Sequence, residues 1–341
     1  MNVQRKMHAS STLPYLSFPP HQLPCNKTNH FPPHRLPGQN SRPSKAVWTT
    51  RKKQTLLLLH MATKKAASTK KKKSKGSKAP AISRKTKPVI LITNDDGVTA
   101  PGIMNLVESV KDLGKIVVVA PDKPQSGMGH AITIGQPLRL HKVNTFGDIE
   151  AWSCTGTPVD CVKLAVDKVL HRKPDLCLSG INHGANHSIN VIYSGTMSAA
   201  VEAAIESIPS AGFSLLDYNI EADFTGARKY ARMVVENMLN TKLDKHTVLN
   251  VNFPSVPVEL LHGLKICRQA YAKYEEDFLE RQDPHGRMYY WLTGEFVNFD
   301  KGTDTDVWAL DNNYVSVVPV QFDMTHYELK SKLEKLWTND I

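Results

Sequence analysis

No aspartate or glutamate occurs in this 341-residue chain before Asp95, so all 32 acidic residues lie in the part that follows. The first 94 residues hold 20 of the 43 lysines and arginines, and the formal net charge of +11 is therefore a property of that leader. The body beyond it is net acidic, which argues against a chain-wide nucleic-acid surface. Cysteine is scarce: Cys25, Cys154, Cys161, Cys177 and Cys267 form no C-x-x-C pair, so neither a zinc ribbon nor a disulfide framework is expected and a reducing compartment fits. Long apolar runs are missing from the leader. Its only one, Leu56 to Leu59, is too short for a signal peptide and far too short to span a bilayer. No G-x-S-x-G occurs, and Gly127-Met-Gly129 lacks a third glycine, which disfavours a nucleophile elbow and a dinucleotide fingerprint respectively.

Residues 1–87 read as a disordered basic extension, Pro/Ser/Asn/His-rich and then Lys/Ser/Ala-rich around Lys70-Lys-Lys-Lys73. Two origins stay open for residues 1–60: an organelle transit peptide, or an over-extended start with Met61 as the true initiator. Cytoplasmic location is expected, with an organelle as the alternative. The lysine run predicts weak, nonspecific polyanion binding at most.

From residue 88 the pattern alternates strand and helix. Val89 to Thr93 predicts a strand, and Pro101 to Leu113 a helix with proline near its start and Gly114 past its end. Further strands are predicted at Ile116–Ala120, Leu176–Leu178, Ser210–Leu215 and Val248–Val251, with helices at Thr157–Leu170, Thr196–Ser207 and Ala222–Leu239. Ile132–Leu140 and Ile149–Cys154 suggest an antiparallel excursion. This order implies a doubly wound, mostly parallel α/β sheet over 88–254, with its site at the strand carboxyl ends. Residues 255–341 read as a strand-rich extension closed by a helix at Tyr327–Leu336.

Three loops at predicted strand ends carry chemistry. The first, Asn94-Asp-Asp-Gly97, sets two carboxylates side by side, where a divalent cation relieves their repulsion. A solvated helix-capping turn is the bland alternative. The second loop offers the Ser126 hydroxyl and the third the Asn182 amide oxygen, hard neutral ligands that complete a Mg²⁺ or Mn²⁺ shell begun by Asp95 and Asp96; each is equally at home as a turn residue. Ser194-Gly195-Thr196 opens a helix, either as an ordinary N-cap or as a phosphate cradle. His130, His183 and His187 lie near these loops but lack the spacing of a zinc site.

Taken together, Ile90-Leu-Ile-Thr-Asn-Asp-Asp-Gly97, Ala100-Pro-Gly-Ile103, Val119-Ala-Pro-Asp122, Gln125-Ser-Gly127, Gly156-Thr-Pro158 with Asp160-Cys161, Ser179-Gly-Ile-Asn182, Val191-Ile-Tyr-Ser-Gly-Thr196, Gly302-Thr-Asp304 and Tyr314-Val-Ser316 resemble the SurE family. The resemblance covers residues 88 to about 330, and the leader has no counterpart in it. It implies a Rossmann-like fold and a metal-dependent phosphatase acting on nucleoside 5′-monophosphates, with 3′-monophosphates or short polyphosphate as further substrates. It also implies one divalent cation per subunit, held by Asp95, Asp96, Ser126 and Asn182, with phosphate contacts at Asn186 and at Ser194, Gly195 and Thr196. Asp95 and Asp96 then carry the catalysis, one of them accepting a proton from water. A homodimer or homotetramer, its C-terminal extensions exchanged between subunits, is implied as well. The alternative reading is an RNA-binding stress protein using the lysine-rich tail.

Overall fold

In the computed structural model residues 87–338 are described, and the expectations for the leader lie outside them. Nine strands form one sheet: β1 (Val89–Thr93), β2 (Lys115–Pro121), β3 (Leu140–Val143), β4 (Glu150–Cys154), β5 (Leu176–His183), β6 (Ser210–Leu215), β7 (Val248–Phe253), β8 (Leu264–Ile266) and β11 (Val315–Val320). Their order is β3-β4-β2-β1-β5-β6-β7-β11-β8. The pairs from β4 through β2, β1, β5 and β6 to β7 are parallel, while β3 and β11 run antiparallel to β4 and β7. The α/β, doubly wound, mostly parallel reading is therefore correct. Successive strands step away from β1 on one side and then on the other, so the order reverses between β1 and β5. That crevice is where ligands bind in open α/β sheets.

Alternation along β1 builds both layers. Ile90 and Ile92 pack with Ile103, Leu106 and Val110 of α1 (Pro101–Val110) and with Ala231 and Val235 of α4 (Thr225–Asn240). Leu91 faces the other way, toward Val162 of α2 (Pro158–Leu164) and Ala199 and Ala203 of α3 (Gly195–Ile205). All three β1 side chains are fully buried, each worth about 1.5–3 kcal/mol. Ala199 and Ala203 of α3 meet Cys161 and Val162 of α2, while Ala200 and Ala204 on the same helix pack with Val248 of β7.

Two predicted elements differ. Ile132–Leu140 is not a strand; only Leu140–Val143 pairs, because Pro137 removes a ladder donor. The segment bonds to the start of α2 instead: Thr133 N–H donates to Asp160 Oδ1 (3.1 Å), and the Thr157 hydroxyl donates to the Ala131 carbonyl (2.7 Å). Meanwhile β5 runs five residues beyond the predicted Leu178, to His183. Its register on β6 shifts between Ser179 and Asn182, where Gly180 takes a positive φ (+128°) against the Phe213 carbonyl. A glycine bulge looks like a loop in sequence, yet pairing resumes after it.

Beyond residue 255 the chain divides. β8 and β11 join the main sheet, and α5 (Asp306–Asp311) precedes β11. β9 (Ala272–Gln282) and β10 (Met288–Asn298) form a separate antiparallel hairpin, and α6 (Tyr327–Trp337) has no buried residue.

Candidate functional site

The end of β1 delivers Asp95 and Asp96 to the β1–β5 crevice. Asp95 is only 3% exposed, and its carboxyl is pushed up to about 6 by burial first and by the adjacent Asp96 charge second. Asp96 is also raised, chiefly by burial, although the His183 N–H donates to its Oδ2 (3.3 Å) and opposes the rise. No lysine, arginine or histidine forms an ion pair with either carboxylate among the described residues. A buried carboxylate beside a half-buried one, neither held in an ion pair, offers oxygen donors suited to a hard divalent ion.

Three segments converge on the pair. The Gln125 N–H donates to the Asp95 carbonyl (2.7 Å), which fastens the loop bearing exposed Ser126 beside it. On β5 the Asn182 amide nitrogen donates to the Gly184 carbonyl (2.7 Å), leaving its side-chain oxygen as the ligating atom on offer. From α3, the Thr196 hydroxyl and backbone N–H both donate to the Asp95 carboxylate. Gly195 is obligatory there, since a Cβ would come within 2.8 Å of the Asp95 Cβ. Ser194 caps the helix by accepting from the Met197 N–H (3.1 Å). The Ser194–Thr196 turn is thus a true N-cap, and its Thr196 N–H is turned to the Asp95 carboxylate.

Asn186 occupies a different environment from the open crevice. Its side-chain amide donates to Ser214 Oγ (2.8 Å), its N–H to Asn252 Oδ1 (2.8 Å), and its carbonyl accepts from the Asn250 amide (2.8 Å). This buried asparagine network on β6 and β7 braces the turn after β5. The adjacent turn is braced too: Asp306 accepts from the Ser188 and Ala270 N–H groups (2.8 and 2.9 Å).

A third ionic element escaped the reading of the sequence. Glu202, buried on α3, accepts from Lys163 of α2 and lies 2.8 Å from His130 Nε2 on the Ser126 loop. Burial pushes its carboxyl up, but the His130 and Lys163 contacts outweigh burial and hold it below the usual range. The one glutamate among the alanines of α3 was the available signal. Of the other histidines, His183 lies edge-on to Phe224 (5.2 Å) and His187 stacks on Phe296 (4.9 Å). No group of three or more His, Cys, Asp or Glu side chains able to hold a metal exists among the described residues.

Known proteins resemble this chain over most of its length. A family model described as "Survival protein SurE" matches residues 90–276. A curated relative from Christiangramia forsetii, named 5′-nucleotidase SurE, is 58% identical over 258 residues, 75% of this chain and 99% of the relative. One of the same name from Flavobacterium psychrophilum is 59% identical over 248 residues, 72% of this chain and 96% of the relative. Among solved structures, the SurE protein of Aquifex aeolicus is 40% identical with a TM-score of 0.64, covering 73% of this chain and 99% of that one.

Proposed function

This chain belongs to the SurE family, and we propose that it hydrolyses nucleoside 5′-monophosphates to nucleoside and phosphate with one divalent cation per subunit, Mg²⁺ or Mn²⁺. It is an enzyme of the 5′-nucleotidase class, a phosphoric monoester hydrolase. The observation that carries the metal-dependent reading is the adjacent Asp95–Asp96 pair at the end of β1, where burial raises both carboxyls and no ion pair is made to either among the described residues.

Asp95, Asp96, Ser126 and Asn182 would hold the cation. When bound, it supplies Lewis-acid polarisation of the phosphoryl oxygens and activation of water. The chain's own groups do the rest. The Gly195 N–H and the positive end of α3 receive the phosphate oxygens, and Thr196 keeps Asp95 pointed at them. Asn186, through Ser214 and Asn252, fixes the turn that brings α3 to the phosphate. Asp95 and Asp96 are the two candidates to accept the proton of an attacking water. The same site would accept 3′-monophosphates and short polyphosphate.

We infer a homodimer or homotetramer, because large apolar side chains on β10 and α6, among them Tyr290, Trp291 and Trp337, are more than half exposed. No described helix is long and apolar enough to cross a membrane. Cys154, Cys161, Cys177 and Cys267 are free thiols, in keeping with a cytoplasmic site of action.

The test is phosphate release from adenosine 5′-monophosphate. EDTA should silence it and Mg²⁺ or Mn²⁺ should restore it. Undiminished release in chelator would remove the metal from the reading, and no release from any nucleoside monophosphate would remove the activity.

A further inference from the structure

A cavity of about 370 Å³ opens directly from Asp96, lined also by Thr99, Lys123, His183, Tyr218 and Ile220. It lies near the lower end of the ~300–1,000 Å³ range of small-molecule sites. Tyr218 and Ile220 come from the segment between β6 and α4, and they are 78% and 75% exposed, although Phe224 at the end of the same segment is buried. The Tyr218 ring is not free to wander. It rests on the backbone of Gly184, where a Cβ would come within 2.4 Å of the ring, and its phenol sits beside that of Tyr274. A ring pinned along one side and open on the rest is a flat apolar platform at the mouth of a carboxylate site.

We propose that Tyr218, flanked by Ile220, is the stacking platform for the nucleoside base of the substrate, with the sugar lying over Thr99 and Lys123 and the phosphate at Asp96; this rests on the phosphatase reading. Two other cavities are less suited. One, of about 700 Å³, lies between His130, Arg268 and Phe322, and another, of about 440 Å³, lies between Tyr193 and Leu292; neither is lined by Asp95 or Asp96. A monophosphate must span from phosphate to base within one nucleotide's length, so its base pocket must share a wall with the carboxylates. Stacking uses the π-face that every base has, so this platform selects nucleosides as a class over simple phosphomonoesters without selecting one base.

The experiment uses adenosine, which carries base and sugar but no phosphate, and inorganic phosphate, each bound to the full-length protein and measured by calorimetry. Tyr218→Ala should weaken adenosine binding about tenfold or more, the usual loss for an aromatic that stacks one base, while Tyr218→Phe, which keeps the ring, stays within about twofold of wild type. The ratio of adenosine to phosphate affinity should fall with it. Equal adenosine binding by wild type and Tyr218→Ala overturns the proposal. So does a parallel loss of adenosine and phosphate binding, which would make Tyr218 a structural support, or a change in assembly size with adenosine binding intact, which would make the ring a subunit contact. Absence of AMP turnover alongside Tyr218-dependent adenosine binding would sink the phosphatase reading and leave the platform standing.

Discussion

Strands β1 and β6 and the hairpin β9–β10 share a secondary structure and almost nothing else. Every residue of β6 is buried and all but the first of β1 are, whereas β9, eleven residues long, buries only Ala272. The core strands are covered on both faces by helices, as parallel strands require, and even Ser210 and Ser214 of β6 are buried. The hairpin reads AKYEEDFLERQ and MYYWLTGEFVN, held by its ladder and by cross-strand pairs such as Leu279 with Trp291 and Phe278 with Leu292. Rigidity is the difference that matters. A strand clamped on two faces can hold Asp95 and Asp96 together against their repulsion; a two-stranded ribbon, marginal by itself, cannot place charges with that authority. The fold therefore sets Asp95 and Asp96 at the end of a buried strand, while the ribbon exposes Phe278, Tyr290 and Trp291.

The sharpest way to break that comparison is at the carboxylates. Asp95→Asn and Asp96→Asn each preserve volume but remove a charge from the donor set. Turnover of nucleoside monophosphates should fall more than about 100-fold, beyond the loss typical of residues that only orient a ligand, with circular dichroism unchanged. Wild-type turnover in either variant would take that residue out of the mechanism.

What the sequence made legible follows the same division. Asp95 and Asp96 at a strand end, proline at the start of α1, and the Thr157 and Ser194 caps could all be read, because each depends on residues within one turn of the chain. The length of β5 could not, since Gly180 carries a loop-like signature and only pairing with β6 shows that the strand continues. Contacts between distant residues were equally invisible. Thr196 reaches Asp95 across 101 positions, Asn186 is tied to Asn252 across 66, and His130 to Glu202 across 72. Asn186, expected at the phosphate only through the family resemblance, gives one amide N–H to Ser214 Oγ, a partner 28 positions away that no local pattern in the sequence announces.

A smaller effect, on stability, sharpens the claim that burial holds the carboxylates together. The Asp95 carboxyl stands at about 6 in the folded chain against an ordinary 3.8, raised by burial and then by Asp96. As pH climbs from about 4 to 6 the unfolded chain gives up a proton that the folded one retains, so stability falls through that window and stays lower above it. In metal-free protein at pH 7.5, Asp95→Asn should therefore be more stable than wild type by about 1–3 kcal/mol, and the gain should vanish below about pH 4. Urea melts in EDTA at the two pH values measure it. Matching midpoints at pH 7.5 would mean that the pair is not strained, and the case for a cation there would lose its physical basis.

The least perturbing test addresses the ribbon. Trp291 and Leu292 are 61% and 60% exposed, so Trp291→Ser and Leu292→Ser remove little packed surface and should change the unfolding free energy by no more than about 0.5 kcal/mol. Shortening Ile92, fully buried in β1, to alanine would by contrast cost about 2–5 kcal/mol. If the hairpin's apolar side chains exist to meet another subunit, the double variant should form a smaller assembly in light scattering at micromolar concentration while its intrinsic fold persists. Loss of several kcal/mol without a change in assembly would show instead that these residues support the subunit itself, and the separation of a rigid catalytic sheet from an associating ribbon would fail.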